Sequence, residues 1–209
     1  MATRGRPRSF DRDAALRRAM EVFWEQGYEA TSMTDLTSAM GIASPSLYAA
    51  FGSKEQLFQE AVALYNATEG AAMTRALAEE PTACAAVEAV LRENARVYAG
   101  EGRPSGCMIV LAATNCSPAN APVRDHLATW RRAGADMMAR RLERAVAEGE
   151  LPAGTDTQAV AAFYTTVIQG MSVQARDGAT QADLDKTVDR AMAAWDAVVT
   201  PHDGGGTPA

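Results

Sequence analysis

The stretch Thr34-Asp35-Leu36-Thr37-Ser38-Ala39-Met40-Gly41-Ile42-Ala43-Ser44-Pro45-Ser46-Leu47-Tyr48-Ala49-Ala50-Phe51-Gly52 decides how the chain is read. Leu36, Ala39 and Met40 share one face of a short helix that Thr34 opens as N-cap and Gly41 closes, since a residue without a Cβ accepts the sharp turn. A second short helix follows at once, with Ser44 as its cap and Pro45 in its first turn, where no backbone N–H is needed. Leu47, Tyr48 and Phe51 fill its two turns before Gly52 ends it. Two short helices joined by a tight turn make a helix-turn-helix, the unit that lays its second helix in a DNA major groove.

Helical periodicity continues on both sides. Upstream, Asp11 reads as an N-cap, Leu16, Ala19, Met20 and Phe23 recur at helical spacing, and Gly27 is the stop. Downstream, Ser53 and Gln56 spell a capping box for a longer helix carrying Leu57, Phe58, Ala61, Val62, Leu64 and Tyr65. Further helices are predicted near 83–99, 105–115, 121–149, 156–177 and 181–199, with a loop at 116–122. Strand signals are nearly absent, so the expected fold class is all-α with about nine helices. Residues 201–209, with three successive glycines, read as a disordered tail.

Composition narrows the function classes. With 47% hydrophobic and 22% charged residues in 209, the chain has apolar content enough for a folded core, and no apolar run approaches the roughly 18 residues of a membrane span. Cys84, Cys107 and Cys116 are odd in number and lack CxxC spacing, which points to a reducing cytoplasm. The formal charge of −6 hides an asymmetry: the first 18 residues hold 6 Arg against 2 Asp, the composition of an end that meets a polyanion. Catalysis finds no constellation. Of two histidines, His202 lies in the tail and His126 has no nucleophile elbow near it, and no Gly-rich phosphate loop precedes a helix. No enzyme activity, cofactor or metal is expected.

The run from Phe10 to Tyr65 resembles the N-terminal domain of TetR-family transcriptional regulators, on Phe23-Trp24-Glu25-x-Gly27-Tyr28-x-x-Thr31-Ser32, Gly41-Ile42, Ser46-Leu47-Tyr48, Phe51 and Lys54-Glu55-x-Leu57. The resemblance implies a DNA head over 1–65 and a helical effector-binding and dimerisation domain over 66–200. It implies a homodimeric repressor that binds a pseudo-palindromic stretch of double-stranded DNA and is released by a small, partly apolar effector. Tyr48 and Lys54 match positions that contact phosphates, and Thr34 offers its hydroxyl and nearby N–H groups to another. Ser44, Pro45, Ser46 and Ala49 would meet base edges. Ala49 and Ala50 replace larger residues of the usual pattern, and no Arg, Asn or Gln lies in the helix, so direct readout should be thin. The arm could add to it: Arg4-Gly5-Arg6-Pro7, followed by Arg8, resembles the AT-hook core that enters a narrow minor groove.

In the C-terminal part, Tyr98, Cys107, Met108, Trp130, Met137, Phe163, Tyr164 and Met171 are the candidates for an effector cavity between helices. Val167, Gly170 and Met171, with Val188, Met192, Trp195 and Val199, are the candidates for the dimer face. Two alternatives remain beside the small-molecule reading. One is a cysteine-based redox or metal-responsive regulator built on Cys107 or Cys116; the other is a helical ligand-binding protein without DNA function.

Overall fold

The Asp11 carboxylate accepts the backbone N–H groups of Asp13 and Ala14 at 3.0 and 3.1 Å and so starts α1, Arg12–Ala30. The structure, a computed structural model, describes residues 10–201. At Gly27 the backbone turns to φ 79, ψ 167, so the expected stop takes the form of a kink followed by one short turn. A Cβ at Gly27 would stand 3.2 Å from the Ala112 carbonyl, to which the next residue, Tyr28, donates its N–H at 2.7 Å.

The second helix, α2, spans Met33–Met40 and is capped by Ser32, which corrects the expectation for Thr34. Ser32 Oγ accepts the Asp35 N–H at 3.1 Å while the Asp35 carboxylate accepts the Ser32 N–H at 2.8 Å, a reciprocal pair that Thr34 is placed too late to make. Gly41 then adopts the left-handed conformation, φ 67, that the turn requires. In α3, Ser44–Phe51, the cap is Ala43, extended at φ −75, ψ 150, and Ser44 is already helical. That corrects the cap expected at Ser44 and leaves its hydroxyl pointing to no cap bond.

Ser53 Oγ accepts the Gln56 N–H at 3.1 Å and opens α4, Lys54–Thr68. There follow α5 (Ala71–Glu79), α6 (Ala83–Tyr98), α7 (Met108–Leu111), a 3-10 turn at Pro118–Asn120, α8 (Ala121–Ala147), α9 (Thr157–Arg176), α10 (Gln181–Ala193) and α11 (Trp195–Val199). The described residues thus form eleven α-helices where about nine were expected. Two differences raise the count, the added α5 and the break at Ala194, and a third only shortens a helix. Helix α5 was not anticipated, because Gly70 offers no capping side chain and Leu77 is its one buried residue. Helix α7 is shorter than 105–115, since Gly106 has φ 75 and Cys107 is still extended. The last predicted helix breaks at Ala194.

In the head, Phe23 meets Phe58 edge-on at 5.0 Å and Phe58 meets Tyr28 at 5.0 Å, with Leu36 and Leu47 fully buried beside them. This core fixes α2 and α3 against α1 and α4. The head is tied to the helices behind it by Trp24, whose Nε1 donates to the Gly106 carbonyl at 3.1 Å and whose ring meets Tyr65 edge-on at 4.9 Å. Behind the head, α6 runs between α5, α9 and α10, while α8 lies along α9. No helix among the described residues is long and apolar enough to cross a membrane.

Candidate functional site

Two sites follow from this frame. The first is the outward side of α3. Leu47 and Phe51 anchor the helix, so Ser44, Pro45, Tyr48 and Ala49 face solvent, with Ser46 half-buried. Tyr48 is 50% exposed, a large apolar ring held outside the core. Thr34 is exposed in the first turn of α2. Lys54, in the first turn of α4, is half-buried and its ammonium lies 4.3 Å from the centre of the Tyr28 ring. Burial lowers its pKa, and Glu29 works against that. The arm residues Arg4, Arg6 and Arg8 and the tail beyond Pro201 lie outside the described residues. Of the remaining basic residues near that end, Arg12 is committed to Glu60 at 2.7 Å and lies over the Phe51 ring, and Arg18 donates to the Met40 carbonyl at 3.4 Å.

The second site is a cavity of about 160 Å³ walled by α4 to α9. Of the residues expected there, Tyr98, Cys107, Trp130 and Met137 line it. Met108, Phe163, Tyr164 and Met171 do not, and the helical geometry gives the reason. On α9 the side facing the cavity carries Thr165, Ile168 and Gln169. Tyr164 is fully buried on another side, 5.7 Å from the Trp195 ring, with its hydroxyl donating to the Ala191 carbonyl at 3.3 Å. Met171 and Met108 are buried in the core, and Phe163, 40% exposed, points outward. Reading from sequence missed Tyr65, Asn94, Arg131 and Gln169. The one signal available was polar residues set into otherwise apolar helical faces, as Asn94 is between Val90, Leu91 and Tyr98.

The proposed dimer face needs a similar correction. Val188 and Met171 are fully buried within their own chain, and Val199 and Trp195 keep only 5% and 8% of their surface exposed. Gly170 is exposed, Val167 and Met192 are half-buried, and the exposed side of α9 adds Phe163 and Val173, the latter 46% exposed. The cysteines stand in different surroundings. Cys107 is in the cavity wall against Tyr65 and Tyr98, whereas Cys116 is near Glu29 and Lys54, its thiol pushed up by burial. Among the described residues no three His, Cys, Asp or Glu side chains gather as a metal site.

A helix-turn-helix head on a helical body with an internal cavity defines a DNA-binding regulator. Residues 15–61 match the family described as bacterial regulatory proteins, tetR family, and residues 83–195 match the tetracyclin repressor-like C-terminal domain. The chain belongs to the TetR family of transcriptional regulators. It is 34% identical over 198 residues to the HTH-type transcriptional repressor ComR of Escherichia coli (strain K12), covering 94% of each chain. To the HTH-type transcriptional repressor BdcR of the same organism it is 33% identical over 178 residues, 83% of each. Among solved structures, a cysteine-substituted form of the TetR family regulator CifR, complexed with 26bp double-strand operator DNA, superposes with a TM-score of 0.89 at 46% identity. That match covers 91% of this chain and 100% of the other.

Proposed function

We propose that the protein is a homodimeric, non-catalytic repressor acting in the cytoplasm. Two copies hold a pseudo-palindromic operator and release it when a small, partly apolar molecule enters the cavity. The observation that carries this reading is the path of α9. It lines the cavity through Thr165, Ile168 and Gln169, and it ends in Arg176, whose guanidinium holds the carbonyls of Trp24 and Glu25 in α1. A ligand that fits one placement of α9 better than another therefore biases the position of the head. Two heads must sit roughly 34–36 Å apart to enter successive major grooves, so a small change of angle is enough to lose the second contact.

The head comprises residues 1–65 and the body 66–200. Tyr48, Lys54 and Thr34 take phosphates, while Ser44, Pro45, Ser46 and Ala49 face the base edges. The relatives named as repressors, and CifR bound to operator DNA, support the DNA-binding reading as a whole. A second copy covers the outward stripe of α9 at Phe163, Val167, Gly170 and Val173. The basic arm, with Arg4, Arg6 and Arg8, reaches the minor groove beside the helix-turn-helix. Light scattering on the protein mixed with an operator duplex should give two chains, or a multiple of two, per duplex, with affinity falling steeply as salt rises. One chain per duplex would overturn the dimeric reading.

A thiol-based version of the same switch is favoured by one observation, the place of Cys107 in the cavity wall. If that version holds, oxidant or a soft metal releases operator from the parent protein and not from Cys107→Ser. Equal responses of the two proteins exclude it.

A further inference from the structure

We infer that residues 105–112, the segment that contains α7, carry the effect of an occupied cavity to the DNA head through α1. The inference rests on the effector-release reading above and deepens it by naming the route. Cys107, Ile109 and Val110 belong to the cavity wall. The carbonyls on either side of them are held by α1: Gly106 accepts the Trp24 indole N–H at 3.1 Å, and Ala112 accepts the Tyr28 backbone N–H at 2.7 Å. Arg176 adds a third tie. The guanidinium that holds the Trp24 and Glu25 carbonyls of α1 also gives Nε to the Ser105 carbonyl at 3.1 Å. A molecule that presses on this wall therefore presses on the points to which α1 is fastened.

The segment takes its position from its neighbours. Helix α7 is one turn of four residues with Met108 as its single buried residue, and a helix so short does not hold its form unaided. Its fixed points in the body are hydrogen bonds. The Gly106 N–H donates to the Tyr98 carbonyl of α6 at 2.9 Å, the Cys107 N–H to Ser172 Oγ of α9 at 2.8 Å, and Arg131 Nη1 of α8 to the Ile109 carbonyl at 2.8 Å. Arg131 is itself in the cavity wall, so an occupant meets both the segment and a side chain that places it. The fit against α9 leaves no slack, since a Cβ at Gly106 would stand 2.6 Å from the Ser172 carbonyl oxygen. Close-packed contacts of this kind pass a displacement on instead of absorbing it.

The other possible carrier is α4, whose Tyr65, Asn66 and Glu69 also line the cavity. That helix packs along α1 and travels with the head, whereas the segment is where α1 is joined by hydrogen bonds to a strap held by α6, α8 and α9.

Coupling is reciprocal, so DNA on the head alters the segment at the cavity wall. Cys107 reports on the segment, and Cys84, on α6 and outside the cavity wall, is the control. The full chain is treated with methyl methanethiosulfonate, with and without an operator duplex selected from the source genome, and modification of each cysteine is followed by mass spectrometry. DNA is expected to change the rate at Cys107 by at least about fivefold, the lower end of ordinary coupling, and to leave Cys84 unchanged. Trp24→Phe keeps a ring against Tyr65 and loses the bond to Gly106, and Arg176→Met loses the bond to Ser105. The two are made separately, so that one misfolding variant does not decide the matter, and each should bring the DNA effect at Cys107 toward that at Cys84. A DNA effect that persists undiminished in both variants overturns the inference and assigns the route to α4. No effect of bound DNA on Cys107 in the parent protein means that head and cavity are not linked, and overturns the effector-release reading itself.

Discussion

The Arg176 guanidinium, in the last turn of α9, donates from Nη2 to the Trp24 carbonyl of α1 at 2.8 Å. Its Nη1 reaches the Glu25 carbonyl at 2.7 Å and its Nε the Ser105 carbonyl at 3.1 Å. The kink at Gly27 interrupts the hydrogen-bond ladder of α1 just beyond these residues, and a cation at a helix C-terminus also meets the negative end of the helix dipole. One side chain therefore satisfies carbonyls on two segments of the head–body junction.

Replacing Arg176 by Met should keep the stem and remove these charge-assisted bonds, at a cost of about 1.5–3 kcal/mol. The expected result is a Tm lower by several degrees, together with a smaller change in DNA affinity on adding ligand. An unchanged Tm and an unchanged ligand response would show that the clamp neither stabilises nor transmits.

At Gly27 the backbone has φ 79 and ψ 167, a region that residues with a Cβ rarely occupy, and the Ala112 carbonyl stands against the site. Gly27→Ala should lower the unfolding free energy by about 1–3 kcal/mol. Urea denaturation checks this: the midpoint should fall with the slope preserved. An unchanged midpoint would mean that the kink relaxes at no cost.

Phosphate contact by Lys54 requires its ammonium to leave the Tyr28 ring. Lys54→Met should weaken binding to all DNA sequences alike and reduce the steepness of log K against log salt by about 0.9, the share of one phosphate. An unaltered slope would mean that Lys54 stays on Tyr28 in the complex.

His126 gives the expected dependence on pH. Burial lowers its pKa below the ordinary 6.5, with Glu55 opposing, and its Nε2 accepts the Trp130 Nε1–H at 3.1 Å. The unfolded chain then binds the proton first as pH falls. Stability is undiminished above about 6.5 and declines below it, toward the folded value. Melting curves between pH 7.5 and 5.5 should show that decline, and His126→Gln, whose side-chain carbonyl can still accept from Trp130, should flatten it. An identical decline in the variant would assign the effect to other groups.

The head was legible in the sequence because local chemistry fixes it. Glycines at 27, 41 and 52, the cap at Asp11 and the apolar spacing of Leu36, Leu47 and Phe58 each have one structural meaning. The caps of α2 and α3 were misplaced by a residue or two because Ser32 and Thr34 are both able to cap, and because the Ser44 hydroxyl drew the expectation away from Ala43, which caps through backbone conformation alone. The body was legible as helices and not as surfaces. Periodicity assigns Trp195 and Val188 to an apolar face, and only the tertiary arrangement shows that α9 and α6 of the same chain cover them. For the same reason Tyr164 and Ile168, both apolar positions on α9, could not be divided between core and cavity until the neighbouring helices were placed.

The central claim, that this protein is a sequence-specific DNA regulator, is tested most directly by selecting bound fragments from the source genome with ligand-free protein and titrating the best fragment with salt. The account predicts enrichment of a pseudo-palindrome with half-sites about one helical turn apart and an affinity that falls steeply with salt. Failure of the folded dimer to enrich any sequence at low salt would contradict it.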